Sequence, residues 1–111
     1  MKDRIASMAA SMREDIASFV RELVAIPSPS GEEGAVVERL REEMVESGYE
    51  DVSVDPMGNL LGRMGSGDRL LAIDGHCDTV GVGNAETWEV DPFAGEYREG
   101  VIYGRGAVDQ K

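Results

Sequence analysis

The chain has 111 residues, with 22 Asp plus Glu against 11 Lys plus Arg and a formal net charge of -11. So acidic a balance disfavours nucleic acid or an anionic membrane surface as partner, because both need a basic face. The length allows one small domain or part of a larger one, and a hydrophobic fraction of 41% with only 5% aromatic residues supplies few large side chains for a core.

Cys77 is the single cysteine, so no internal disulfide forms and nothing calls for an oxidising compartment. The start, Met1-Lys2-Asp3-Arg4-Ile5, lacks the apolar stretch of a signal peptide, and nowhere do about 18 apolar residues run together. Cytoplasm is the expected location, without a membrane span.

In chain order, Ile5, Met8, Ala9, Met12, Ile16, Phe19, Val20, Leu23 and Val24 recur at helical spacing. They predict an amphipathic helix, in one piece or two segments, over residues 3–25, with the stripe as core. Two prolines in Ile26-Pro27-Ser28-Pro29-Ser30 stop it. Ser30-Gly31-Glu32-Glu33 then reads as a capping box opening a second helix, with Val36, Val37, Leu40, Met44 and Val45 on its buried face and Gly48 as its stop. Val52 and Val54, a turn at residues 56–59 and Leu60-Leu61 predict a hairpin.

Residues 70–73, Leu-Leu-Ala-Ile, form a short apolar run of the kind that fills a buried strand, broken by Gly75 before a polar tip, His76-Cys77-Asp78. Strand exits are where open α/β sheets bind ligands. If the tip is extended, His76 and Asp78 share one side and Cys77 takes the other, which suits a carboxylate that aims a metal-bound imidazole. By itself a lone histidine in a glycine-rich turn is more often an ordinary polar residue than a ligand. Residues 81–100 read as one long loop, the kind that is functional when ordered.

Three motifs taken together resemble a known family. They are Gly75-His76-Cys77-Asp78-Thr79-Val80, then Trp88 with Asp91-Pro92-Phe93, then Ile102-Tyr103-Gly104-Arg105-Gly106-Ala107-Val108-Asp109. The family is that of the zinc-dependent deacylases and exopeptidases, which includes acetylornithine deacetylases, succinyl-diaminopimelate desuccinylases and glutamate carboxypeptidases. The resemblance implies an α/β fold: the N-terminal part of a zinc-exopeptidase-like catalytic domain, with two helices, a hairpin and a central strand of a mixed sheet. Residues 1–111 are then an incomplete portion of that domain, and the lid or dimerisation domain of a homodimer lies elsewhere.

The resemblance also implies a site. His76 would be a metal ligand to one Zn2+, Asp109 would bridge two, and Asp78 would be the catalytic residue holding the His76 imidazole, with Co2+ or Mn2+ as substitute metals. The activity implied is hydrolysis of an N-acyl or peptide bond in a small substrate by metal-activated water; the alternative is a catalytically inactive truncated product that at most binds metal weakly. If His76 and Asp109 serve one ion, bonds of about 2.0 to 2.2 Å place their donor atoms roughly 3 to 4 Å apart. No general base is assigned.

Gln110 departs from the methionine that usually follows the bridging aspartate, and the Asp-Gln form resembles a branch of selenium-metabolism-linked hydrolases. Arg105 is expected to pair with one of the many acidic residues, with an anchor for phosphate or carboxylate as the alternative. Trp88 and Phe93 are expected to pack the loop, Cys77 to be a small buried residue, and the linker serines to cap structure.

Overall fold

The computed structural model describes residues 1–111. Three helices, α1 (Lys2–Ser11), α2 (Arg13–Val24) and α3 (Gly34–Glu46), precede two antiparallel hairpins, β1 (Glu50–Val54) with β2 (Leu60–Arg63) and β3 (Glu96–Arg98) with β4 (Val101–Tyr103). The fold is α/β and open. Its radius of gyration is 15.8 Å, against about 13 Å for a compact domain of this length.

The N-terminal helix divides at Met12, whose own amide still reaches the Met8 carbonyl. Its stripe is not core as expected. Ile5, Met8, Met12 and Ile16 are all at least half exposed, and the one element that α1 packs against substantially is α2. Burial begins only at Leu23 and Val24, which with Val36 of α3 make up the whole buried apolar core. Arg39 clips α2 to α3: its guanidinium donates to Glu22 at 2.7 Å and Glu43 at 3.0 Å and lies 4.7 Å from the Phe19 ring centre.

The capping box does not form at Ser30. The cap position of α3 is Glu33, whose carboxylate accepts from the Gly31 amide at 2.8 Å, and the Ser30 hydroxyl is drawn away to Asp78. At the other end the helix stops as expected. Gly48 takes φ +80, and the bonds Tyr49 N to Met44 O and Gly48 N to Val45 O satisfy the last carbonyls in a Schellman arrangement.

Asp55 organises the first hairpin's turn by accepting from the Met57 and Asn59 amides and the Asn59 side chain at 2.8 to 2.9 Å. The first strand of the second hairpin and its turn lie inside the stretch read as loop, and the second strand follows it directly. Glu99 and Gly100, both at positive φ, make a two-residue turn between Arg98 and Val101. The signal was weak because glutamate is an unusual first residue for such a turn.

The expected central strand is also corrected. Residues 69–78 pair with no other strand, and Leu70, Leu71 and Ile73 are more than 80% exposed. A strand is stable only against a neighbour, and neither two-stranded hairpin of this chain reaches the run. No helix is long and apolar enough to cross a membrane.

Candidate metal centre

The polar tip is held by the proline linker. With Pro27 and Pro29 enforcing an extended path, Ser28 presents its carbonyl to the Thr79 amide at 2.8 Å and its hydroxyl to the Cys77 carbonyl at 2.7 Å, forming a one-residue parallel bridge between Pro29 and Thr79. Ser28 is fully buried. The linker serines therefore build the site instead of capping a helix, a role signalled only by their lying among prolines. Ser28→Ala leaves the Cys77 carbonyl unpaired in a buried place and is expected to cost about 1 to 3 kcal/mol, read as a lower denaturation midpoint. An unchanged midpoint would show that the hydroxyl contributes nothing.

On this support His76 and Asp78 face the same way. Nδ1 of His76 lies 3.1 Å from both the Asp78 carbonyl oxygen and Asp78 Oδ1. Both neighbours only accept, so Nδ1 carries the hydrogen and donates. Asp78 is itself oriented by the Ser30 hydroxyl, and that bond, followed by the nearby imidazole, holds its carboxyl below the usual range.

Asp109 arrives from the far end of the chain. Arg105 N to Pro92 O at 2.8 Å fixes the start of the turn that carries it, and Lys111 fixes the end by donating from Nζ to the Leu23 carbonyl at 2.8 Å and to that of Ile26, at the C-terminus of α2. Asp109 Oδ1 then stands 3.2 Å from His76 Nε2. The structure thus brings together all three residues singled out in the sequence, across a separation of 33 positions for the outer pair. Asp78 and Asp109 address opposite nitrogens of one ring.

This arrangement has an electrostatic consequence. With Nδ1 protonated, a neutral ring points its Nε2 lone pair at a carboxylate oxygen, two electron-rich atoms face to face. Either a second proton or a shared cation relieves the contact. In the absence of metal the proton does so, and the His76 pKa is raised, chiefly by the bond to the Asp78 carbonyl and then by Asp109. The stabilisation that this protonation gives is complete below the ordinary imidazole pKa and disappears as pH rises through the raised one. In an NMR titration under chelation, Asp109→Asn is expected to bring the His76 midpoint down while leaving it above the ordinary value. A midpoint that does not move would place Asp109 outside the contact.

Metal and proton compete for the same lone pair, so the donor set fits a divalent ion in kind: one imidazole nitrogen with its other nitrogen tied to a carboxylate, and one carboxylate. It is incomplete in number. No group of three His, Cys, Asp or Glu side chains in the chain could enclose an ion, whereas a catalytic zinc takes three protein ligands.

His76, Asp78 and Asp109 line a recess of about 310 Å³ with Thr79, Val80, Gly104, Arg105, Gly106 and Val108. Cys77, on the opposite side, is half-buried, and desolvation with Glu33 nearby pushes its thiol pKa up, away from nucleophile chemistry. Trp88 packs the loop by donating to the Val82 carbonyl at 2.9 Å, and the Arg105 guanidinium carbon lies 5.1 Å from its ring centre. Arg105 does not pair with an acidic residue as expected. Its backbone, tied to Pro92, seats the side chain against Trp88, and its Nε is buried without a hydrogen-bond partner.

A model of Peptidase family M20/M25/M40 matches residues 72–111, the segment that carries His76, Asp78 and Asp109. Similarity to full-length proteins extends over nearly the whole chain. It is 47% identical over 107 residues to the uncharacterised protein YgeY of Escherichia coli (strain K12), covering 96% of this chain and 27% of YgeY. It is 39% identical over 101 residues to a succinyl-diaminopimelate desuccinylase of Cereibacter sphaeroides (strain ATCC 17025 / ATH 2.4.3), covering 87% of this chain and 27% of that protein. A succinyl-diaminopimelate desuccinylase of Acinetobacter baylyi is 35% identical over 101 residues, with 89% and 27% covered. The chain spans 27% of the length of each of these relatives.

Proposed function

We propose that this chain carries part of the metal centre of a two-zinc amidohydrolase that cleaves an N-acyl or peptide bond in a small acylated amino acid or peptide. The line Asp78, His76, Asp109 carries this reading, with one ring nitrogen tied to a carboxylate and the other 3.2 Å from a second carboxylate. The match of residues 72–111 to the family model and the similarity to desuccinylases support it. His76 would ligate one ion through Nε2, Asp109 would bridge the pair, and Co2+ or Mn2+ would serve in place of Zn2+. When bound, such a pair supplies Lewis-acid polarisation of the scissile carbonyl and an activated water.

The chain's own residues do the positioning. Asp78 holds the Nδ1 proton, so that Nε2 keeps its lone pair for the ion, and Ser30 and Ser28 hold Asp78 and the tip against the linker. We infer a cytoplasmic location, with which the lone cysteine agrees, and a homodimer for a protein of the relatives' length. Because two donors fall short of three, the 111-residue chain alone is expected to bind zinc weakly and to show no hydrolysis.

Calorimetric titration with Zn2+ tests the reading. Asp78→Ala is expected to lower zinc affinity by about 10- to 100-fold through a misaimed imidazole. An affinity equal to that of the unaltered chain would make Asp78 a structural residue only. Zinc taken up equally well after removal of both His76 and Asp109 would reject the centre altogether.

A further inference from the structure

The N-terminal helix leaves one face uncovered, and that face is patterned. Met1, Ile5, Met8, Met12 and Ile16 are each at least half exposed, and α1 contributes no buried residue. The steps from Met1 to Ile5, Met8 and Met12 alternate four, three and four, the spacing of a coiled-coil seam. Met12 keeps right-handed helical dihedrals, φ -90 and ψ 0, and its carbonyl accepts from the Ile16 amide at 2.9 Å, so the stripe continues in phase into α2. At 1.5 Å per residue it is about 24 Å long. Two charges border it on one side: Arg4 precedes Met8 by four residues and Asp15 follows Met12 by three. They stand eleven positions apart, three helical turns to within about 20°. Neither makes an ion pair within its own chain.

We propose that this stripe is an isologous interface with a second copy of the chain, the two N-terminal helices packing antiparallel about a two-fold axis near Met8 and Met12. The inference is independent of the hydrolase reading, and no residue of α1 lines the recess. Charge complementarity names the occupant. A two-fold axis across the stripe sets the flank of one helix beside the same flank of the other, run in reverse, so Arg4 of each copy meets Asp15 of its partner. One surface thus supplies both halves of the contact. A parallel pair lacks this match, because it sets like charges at the same height. The formal net charge of -11 argues against an anionic membrane surface as the occupant. So short a contact belongs at the weak end of specific interfaces, and a dissociation constant of about 1 to 100 μM is expected.

Sedimentation equilibrium of the whole chain, in chelator so that no metal bridges copies, tests the proposal. A reversible equilibrium between the 12.0 kDa chain and its dimer is expected. Met8→Glu places a charge at the centre of the seam and is expected to leave monomer only, with the helical circular dichroism unchanged because Met8 is 54% exposed. Arg4→Glu and Asp15→Arg each set like charges opposite one another twice, and each is expected to weaken the dimer about tenfold. Mixed one to one, these two variants restore both pairs and are expected to form a heterodimer as tight as the unaltered dimer. A chain that stays monomeric well above that concentration range would overturn the interface, and so would a dimer that survives Met8→Glu. A mixture no tighter than its separate components would overturn the antiparallel pairing. Growth beyond the dimer would also overturn it, since only a head-to-tail contact, as through the exposed run at residues 70–73, continues to add copies.

Discussion

Replacing His76 with alanine is expected to remove zinc binding by this chain to below detection, and hydrolysis from any longer form of the protein that has it. His76 is the chain's only histidine, so no other imidazole can take its place, and the variant leaves Asp109, 91% exposed, as the single proposed ligand. One exposed carboxylate does not hold a transition metal against water. The effect should exceed that of Asp78→Ala, which removes the group aiming the ligand and leaves the ligand in place. Zinc titration of the two variants side by side checks the order. Retention of zinc by His76→Ala, or activity within about twofold of the unaltered protein where ordinary ligand loss is far larger, would reject the assignment.

Gly104→Ala is expected to disrupt the fold around the site. A Cβ at this position would stand 2.3 Å from Cγ1 of Val24, which is fully buried, and 2.9 Å from the Pro92 carbonyl oxygen, with φ at +156. Neither neighbour can yield cheaply: Val24 is one of three buried apolar residues, and the Pro92 carbonyl accepts the Arg105 amide. Overpacking and backbone strain together are expected to cost about 2 to 4 kcal/mol, a large share of the stability of so small a core. The expected observation is a loss of the cooperative melting transition by circular dichroism. Gly58→Ala is the control. Gly58 also has positive φ, +91, but nothing lies within 4 Å of the added methyl, so strain alone acts and the transition should persist. Equal melting of both variants would mean that the Gly104 contact is not tight.

The two effects are linked. Gly104 opens the turn that delivers Arg105 to Trp88 and Asp109 to His76, so the path from α2 to the site runs through the clash that glycine avoids. Lys111, donating to the Leu23 and Ile26 carbonyls, closes the same turn against the same helix end. The geometry of the His76–Asp109 pair is therefore set by α2, although α2 contributes no side chain to the recess.

Patterns that act over a few residues were legible in the sequence. The α2 and α3 periodicities, the Gly48 stop and the turn at residues 56–59 depend on local backbone preference and form as the residues dictate. His76, Asp78 and Asp109 were found from the resemblance of their motifs, and alternation alone placed His76 and Asp78 on one side of an extended tip. Tertiary structure decided what depends on distant partners. Ser30 was drawn from a local cap to Asp78, 48 residues away, because the extended proline linker lies beside the tip. Ser28 gained its role in the same way. Arg105, expected to find one of many acids, lies against Trp88 instead, where the tie of its backbone to Pro92 seats it. Apolar pattern alone suggested burial for the Ile5 to Ile16 stripe and for residues 70–73, yet burial needs a second surface, and these 111 residues place none against either.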